Sequence, residues 1–122
     1  MKALAMIAAA ALLAAALPLY FADAEKSKEA ALRQSLREMR DAIDKFYTDN
    51  ARYPEALGDL VEKRYLRAVP VDPVTGSAQT WVLVAPRDSF PDKGGLPARG
   101  QVFDVKSGAK GRTPGGVEFA SL

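Results

Sequence analysis

The side chains most often recruited for proton transfer, nucleophilic attack and transition-metal binding are missing, because the chain holds no histidine and no cysteine. Neither an imidazole base nor a thiolate can be built. Six serines remain, and a serine becomes a nucleophile only beside a base within hydrogen-bond reach. The most suggestive pairing, Ser27 between Lys26 and Lys28, falls on a stretch of helical spacing where it faces solvent and not a pocket. The glycine-rich run Ser107-Gly108-Ala109-Lys110-Gly111-Arg112-Thr113-Pro114-Gly115-Gly116 lacks the Gly-Lys-Ser/Thr ending with which a phosphate loop holds nucleotide. It reads as a flexible loop. Asp88 and Asp92 stand in a Pro/Gly-containing segment, where aspartates are ordinarily solvated turn formers. Trp81 and Phe103 have the strand context of core aromatics. These residues predict no catalytic site.

Charge narrows the partners. The 17 Lys and Arg against 15 Asp and Glu leave a net charge of +2, interspersed along most of the length, so no nucleic-acid face is indicated. The 122 residues suffice for one domain.

What must position any functional surface is dominated by one join. Residues 3–22 form an apolar Ala- and Leu-rich run interrupted only by Pro18, and it continues without a turn signal into a charged, amphipathic segment from Glu25 to about Asn50. As a helix the run rises about 30 Å, just the thickness of a bilayer's hydrocarbon core. Leu4, Ile7, Leu12, Leu13, Leu17, Leu19 and Phe21 contribute on the order of 2 to 4 kcal/mol to insertion, a weak anchor. Pro18 lacks an amide proton and is expected to loosen the helix near Ala14. The same run, with Lys2 before it and Ala22-Asp23-Ala24 after it, also fits a signal peptide. Either reading sends the chain out of the cytoplasm.

Beyond Glu25, Leu32, Leu36, Met39, Ile43 and Phe46 recur at spacings of four, three, four and three, the stripe with which an amphipathic helix packs on its own domain. Asn50 and Pro54 bound that helix. Pro54 is expected at the first position of a short second helix with Leu57, Leu60 and Val61 on its apolar face. Val69 to Gly76 carries two prolines and predicts an extended connector. Thr80 to Ala85 and Gln101 to Lys106 predict an antiparallel strand pair, with Val117 to Ala120 as a possible third strand.

This order resembles the type IV pilin-like proteins, and among them the major pseudopilins of type II secretion. The resemblance rests on the apolar run ending at Pro18, on Glu29 to Tyr47, on the Asp49-Asn50-Ala51-Arg52-Tyr53-Pro54 turn, on the connector Tyr65 to Gly76 and on the two strands. It implies an α+β fold in which a long N-terminal helix, hydrophobic first and amphipathic after, packs on a small antiparallel sheet. It further implies a membrane and assembly segment over residues 1–24 and a periplasmic domain over 25–122, anchored by a single pass in the bacterial inner membrane. The implied function is that of a filament subunit supporting export across the outer membrane. Its partners would be other copies of itself, minor pseudopilins, inner-membrane secretion components and, before assembly, lipid. The family's leader, cleavage glycine, aromatic residue and glutamate are not found in these residues. If Pro18 matches the family proline, Met1 falls near the glutamate's position and the leader and processing site would lie upstream; alternatively the gene begins at Met1, and the chain is then a membrane-anchored or signal-peptidase-cleaved relative for which the resemblance does not carry over processing by the prepilin peptidase. Family members also bind calcium in a C-terminal loop of aspartates, whereas the loop here offers Lys110 and Arg112, so no metal or other cofactor is expected. The alternative is a signal-peptide-bearing, soluble periplasmic binding module on the same scaffold.

Overall fold

A computed structural model describes residues 2–86 and 100–122, with side chains from Ala22 onward. The chain is α+β. Helix α1 spans Lys2–Asn50, α2 spans Leu57–Glu62, β1 is Val82–Val84, β2 is Asp104–Lys106, and a 3-10 turn covers Phe119–Ser121. The backbone of α1 stays helical through Pro18, where the sequence predicts a loosening. At 1.5 Å per residue this rod is about 73 Å long.

Leu32, Leu36, Met39, Ile43 and Phe46 are all buried, and with Ala42 they form the α1 side of one apolar core. Leu60 of α2, Trp81, Val102, Val105 of β2, Ala109 and Phe119 close it from the other side. The second half of α1 is thus the spine of the head, while charged side chains keep its outer face wet. Glu29 and Arg33 pair along that face at 3.0 Å; Arg37 bonds Gln34 and Asp41 pairs with Lys45, in place of the Arg37–Asp41 pairing their spacing suggests.

Both helices end without glycine. Ala51 takes a φ of 56° and donates its amide to the Tyr47 carbonyl at 2.8 Å, while Asn50 Nδ2 donates to the Phe46 carbonyl. Arg64 takes a φ of 66° behind α2, with its amide on the Val61 carbonyl and the Tyr65 amide on the Leu60 carbonyl, the two bonds of a Schellman cap.

Four expectations about the extent of the later elements are corrected. The second helix does not open at Pro54: the buried Pro54 lends its carbonyl to the amides of Gln101 and Val102, which holds it extended, and α2 begins at Leu57. Those two amides are spent on Pro54, so β2 begins at Asp104 and not at Gln101. At the other strand, β1 covers only Val82 to Val84, and the side chains of Thr80 and Trp81 before it bond the connector at Thr75 Oγ1 and the Pro70 carbonyl. Val117 to Ala120 is no strand; a single bridge pairs Arg112 with Glu118 and the backbone then turns into the 3-10 segment. The antiparallel register sets Val82 against Lys106, Leu83 against Val105 and Val84 against Asp104.

Candidate functional site

The feature that can act here is a small head clamped to a rod, and three polar braces do the clamping. In the first, Arg40 on α1 reaches across to β2: its Nε donates to Asp104 Oδ1 at 2.8 Å and its Nη2 to the carbonyls of Val105 and Leu122. Planar guanidinium geometry suits this fan of three acceptors. One side chain thereby ties the helix to the sheet and to the residue after the 3-10 turn.

The second brace is buried. Asp72, fully out of solvent, accepts the amides of Val74 and Thr75 on Oδ1 and the Ser107 hydroxyl on Oδ2 at 2.5 Å, and Ser107 Oγ in turn accepts the Ala109 amide. A buried carboxylate is tolerable only with such saturation. It joins the proline-rich connector to the segment leaving β2. The Trp81 indole, donating to the Pro70 carbonyl at 2.8 Å, pins the same connector to the start of β1.

The third brace closes the end of α1. Tyr65, just past α2, donates its hydroxyl to Asp49 Oδ2 at 2.7 Å, receives Asn50 Nδ2 at 3.3 Å and packs edge-on against Phe46. The bond to Asp49, with desolvation second, raises the Tyr65 pKa above its ordinary value, since the carboxylate needs the proton where it is. Lys45 is raised likewise by its hydrogen bond to Asp41. On the far side Tyr47 stacks on Tyr53 at 4.5 Å and Tyr53 meets the edge of Phe103 at 5.4 Å. Trp81 is in the core as expected, whereas Phe103, expected there too, is 46% exposed and packs edge-on with Tyr53.

The surface holds only shallow, open hollows, with no enclosed chamber among the described residues. One, on α1, is flanked by Glu38, Asp41 and Asp44, and a second, behind α2, by Arg64, Tyr65, Leu66 and Arg67. Among the described residues no three His, Cys, Asp or Glu side chains gather as metal ligands do. Asp88 and Asp92 lie outside the described residues. So do the side chains of Leu4, Ile7, Leu12, Leu13, Leu17, Pro18, Leu19 and Phe21, whose backbone belongs to α1. Among the described residues no helix is long and apolar enough to cross a membrane.

Asp72, Arg40 and the Asp49–Tyr65 pair carry no motif that announces them. Asp72 alone had a signal, since Asp before Pro-Val-Thr-Gly is a turn in which a side-chain oxygen caps the following amides. No protein-family model, curated protein or solved structure matches the chain.

Proposed function

We propose that the chain is a structural subunit of a pilin-like filament, of the kind that serves as the periplasmic pseudopilus of type II secretion, and that it catalyses nothing itself. Residues 3–22 hold it in the bacterial inner membrane before assembly, with the domain 25–122 in the periplasm. On assembly the apolar halves leave lipid for one another, where the small side chains of Ala8 to Ala11 and Ala14 to Ala16 permit close approach. Other copies of the chain, minor pseudopilins and inner-membrane secretion components are its partners.

One observation carries this reading: a single helix, Lys2–Asn50, joins the apolar run to the stripe that forms the spine of the head, with no break between them. A cleavable export signal has no need of such continuity. A filament subunit does, because the rod must transmit axial position from the bundled tails to the heads.

The native gene product, fractionated from its own cell, tests the proposal through its intact mass and its partition. The reading expects a membrane-bound protein that retains residues 3–22. A freely soluble protein beginning near Glu25 would overturn it in favour of an exported binding module.

A further inference from the structure

The hairpin after β2 is heavily bonded for its length. Ala109 and Phe119 root its two legs in the core, and the Phe119 amide on the Gly111 carbonyl joins them, followed by the bridge between Arg112 and Glu118. At the far end the Thr113 amide donates to the Val117 carbonyl at 2.7 Å, the Gly116 amide to the Thr113 carbonyl at 2.9 Å and Arg112 Nη1 to the Gly116 carbonyl at 3.2 Å. The tip is held in one shape.

Its position along the rod gives that shape a use. Arg112, Thr113 and Pro114 share a hollow of about 330 Å³ with Ala22 and Glu25 of α1. Leu32 is the first core residue of α1 among the described residues, so the hairpin reaches ten residues past the core toward the N-terminus, about 15 Å. It stops level with the end of the apolar run. From Thr113 to Val117 the tip carries no charge, and Pro114, Gly115, Gly116 and Val117 are exposed, Val117 at 42%. Cations stand behind it. Arg112 is neutralised by Glu118 and Lys28 by Glu25. That leaves Lys110 on the hairpin and Lys26 on α1, both exposed and without an ion pair among the described residues. Lys26 follows Ala22 by four and shares its helix face. Asp23, the unpaired carboxylate of this turn, stands about 100° around the helix from Ala22. An uncharged tip backed by lysines suits a headgroup layer, where apolar side chains sink toward the acyl chains and long basic stems reach the phosphates.

We infer that the hairpin of residues 111–119 is a foot: in the anchored subunit its tip rests in the headgroup layer, and Lys26 and Lys110 bind anionic phospholipid. The inference rests on the reading of residues 3–22 as a membrane segment. Lipid is a better occupant than a second copy, because a bilayer that holds the apolar run up to Ala22 meets the tip without any further partner. The contact fixes the tilt of the head on the membrane, and a subunit must break it to enter the filament.

Because the chain has no cysteine, one substitution places a single probe. Full-length chain carrying Val117→Cys is labelled with a polarity-sensitive fluorophore and reconstituted into phosphatidylethanolamine and phosphatidylglycerol vesicles containing nitroxide-headgroup lipid, diluted so that vesicles hold single chains. Thr48→Cys is the control, twenty-six residues beyond Ala22 on α1, about 39 Å along the rod. The label at 117 is expected to shift to the blue and be quenched, and the label at 48 to do neither. Lys26→Gln and Lys110→Gln should each lower the ratio of docked to free tips roughly fivefold, with the melting midpoint of the head unchanged because both side chains are exposed. An unquenched label at 117 in chain that floats with the vesicles would overturn the foot and leave the membrane reading standing. Quenching indifferent to both lysines would overturn it too, as would a label shielded only when chains are crowded, which would give the tip to a neighbouring copy. Chain that stays off the vesicles altogether would sink the membrane reading as well.

Discussion

Asp72 caps the connector's turn through one carboxylate oxygen and holds Ser107 through the other, and its substitution separates these two roles. Asp72→Ala takes the acceptor from the part-buried amides of Val74 and Thr75 and leaves the buried hydroxyl of Ser107 without its partner, a loss of about 1 to 3 kcal/mol by denaturant unfolding. Asp72→Asn keeps an oxygen for the two amides and should cost less than half as much; equal losses would contradict the assignment of the turn to Oδ1. Ala51 offers the opposite sign. Its φ of 56° suits glycine, so Ala51→Gly should stabilise by about 0.5 to 1 kcal/mol, checked by the unfolding midpoint. Tyr65 gives a pH signature. Its proton is held to higher pH in the fold than in the unfolded chain, so its contribution is fully present below the unfolded pKa of about 10 and is lost as pH rises through the folded one. The tyrosinate absorbance of wild type minus that of Tyr65→Phe should rise at a pH above 10, and a difference curve centred at or below 10 would contradict the Asp49 bond. Of these residues only Asp72 carried a sequence signal, as the start of a turn, and neither its burial nor its bond to Ser107 was legible; Ala51 and Tyr65 look like ordinary residues until the chain brings their partners close.

At the scale of elements, the helix and its stripe were legible and the short strands only in part. Leu32, Leu36, Met39, Ile43 and Phe46 recur at a period that only a helix can bury together, and the backbone there is helical. The strand segments carry the right residue types, but the side chains of Thr80 and Trp81 are tied to Thr75 and Pro70, and the amides of Gln101 and Val102 are spent on the distant carbonyl of Pro54. Such long-range hydrogen bonds have no local signature, and they set the strand ends. Arg40 is the test of how the elements are joined. Arg40→Ala removes three bonds between α1 and the β2 end of the head and is expected to destabilise by about 1 to 3 kcal/mol, moderated by the partial exposure of the Asp104 pair. Arg40→Lys should recover little of this, since a lysine cannot spread over three acceptors. Amide exchange along Asp104 to Lys106 would accelerate in both variants if the brace holds the strand as described.

For the whole molecule, the division of labour lies along one rod. The outer half of α1 carries the head's core on one side and charge on the other, and the first half is apolar throughout residues 3–22. Substituting Leu12 and Leu13 by charged residues should abolish membrane retention and assembly, at about 3 kcal/mol for each charge placed in the hydrocarbon core, while the circular dichroism and melting of the head beyond Glu25 persist. Fold class was open to sequence reasoning because the rod and its stripe are periodic over many turns; the polar braces that clamp the head were not, since their partners lie far apart in the chain. The most direct test of the account is electron microscopy of material sheared from cells overproducing the native gene product. The account predicts thin filaments that label along their length with antibody to the head and vanish when Leu12 and Leu13 are charged. Abundant, folded, native-length protein that stays monomeric under the same conditions would contradict it.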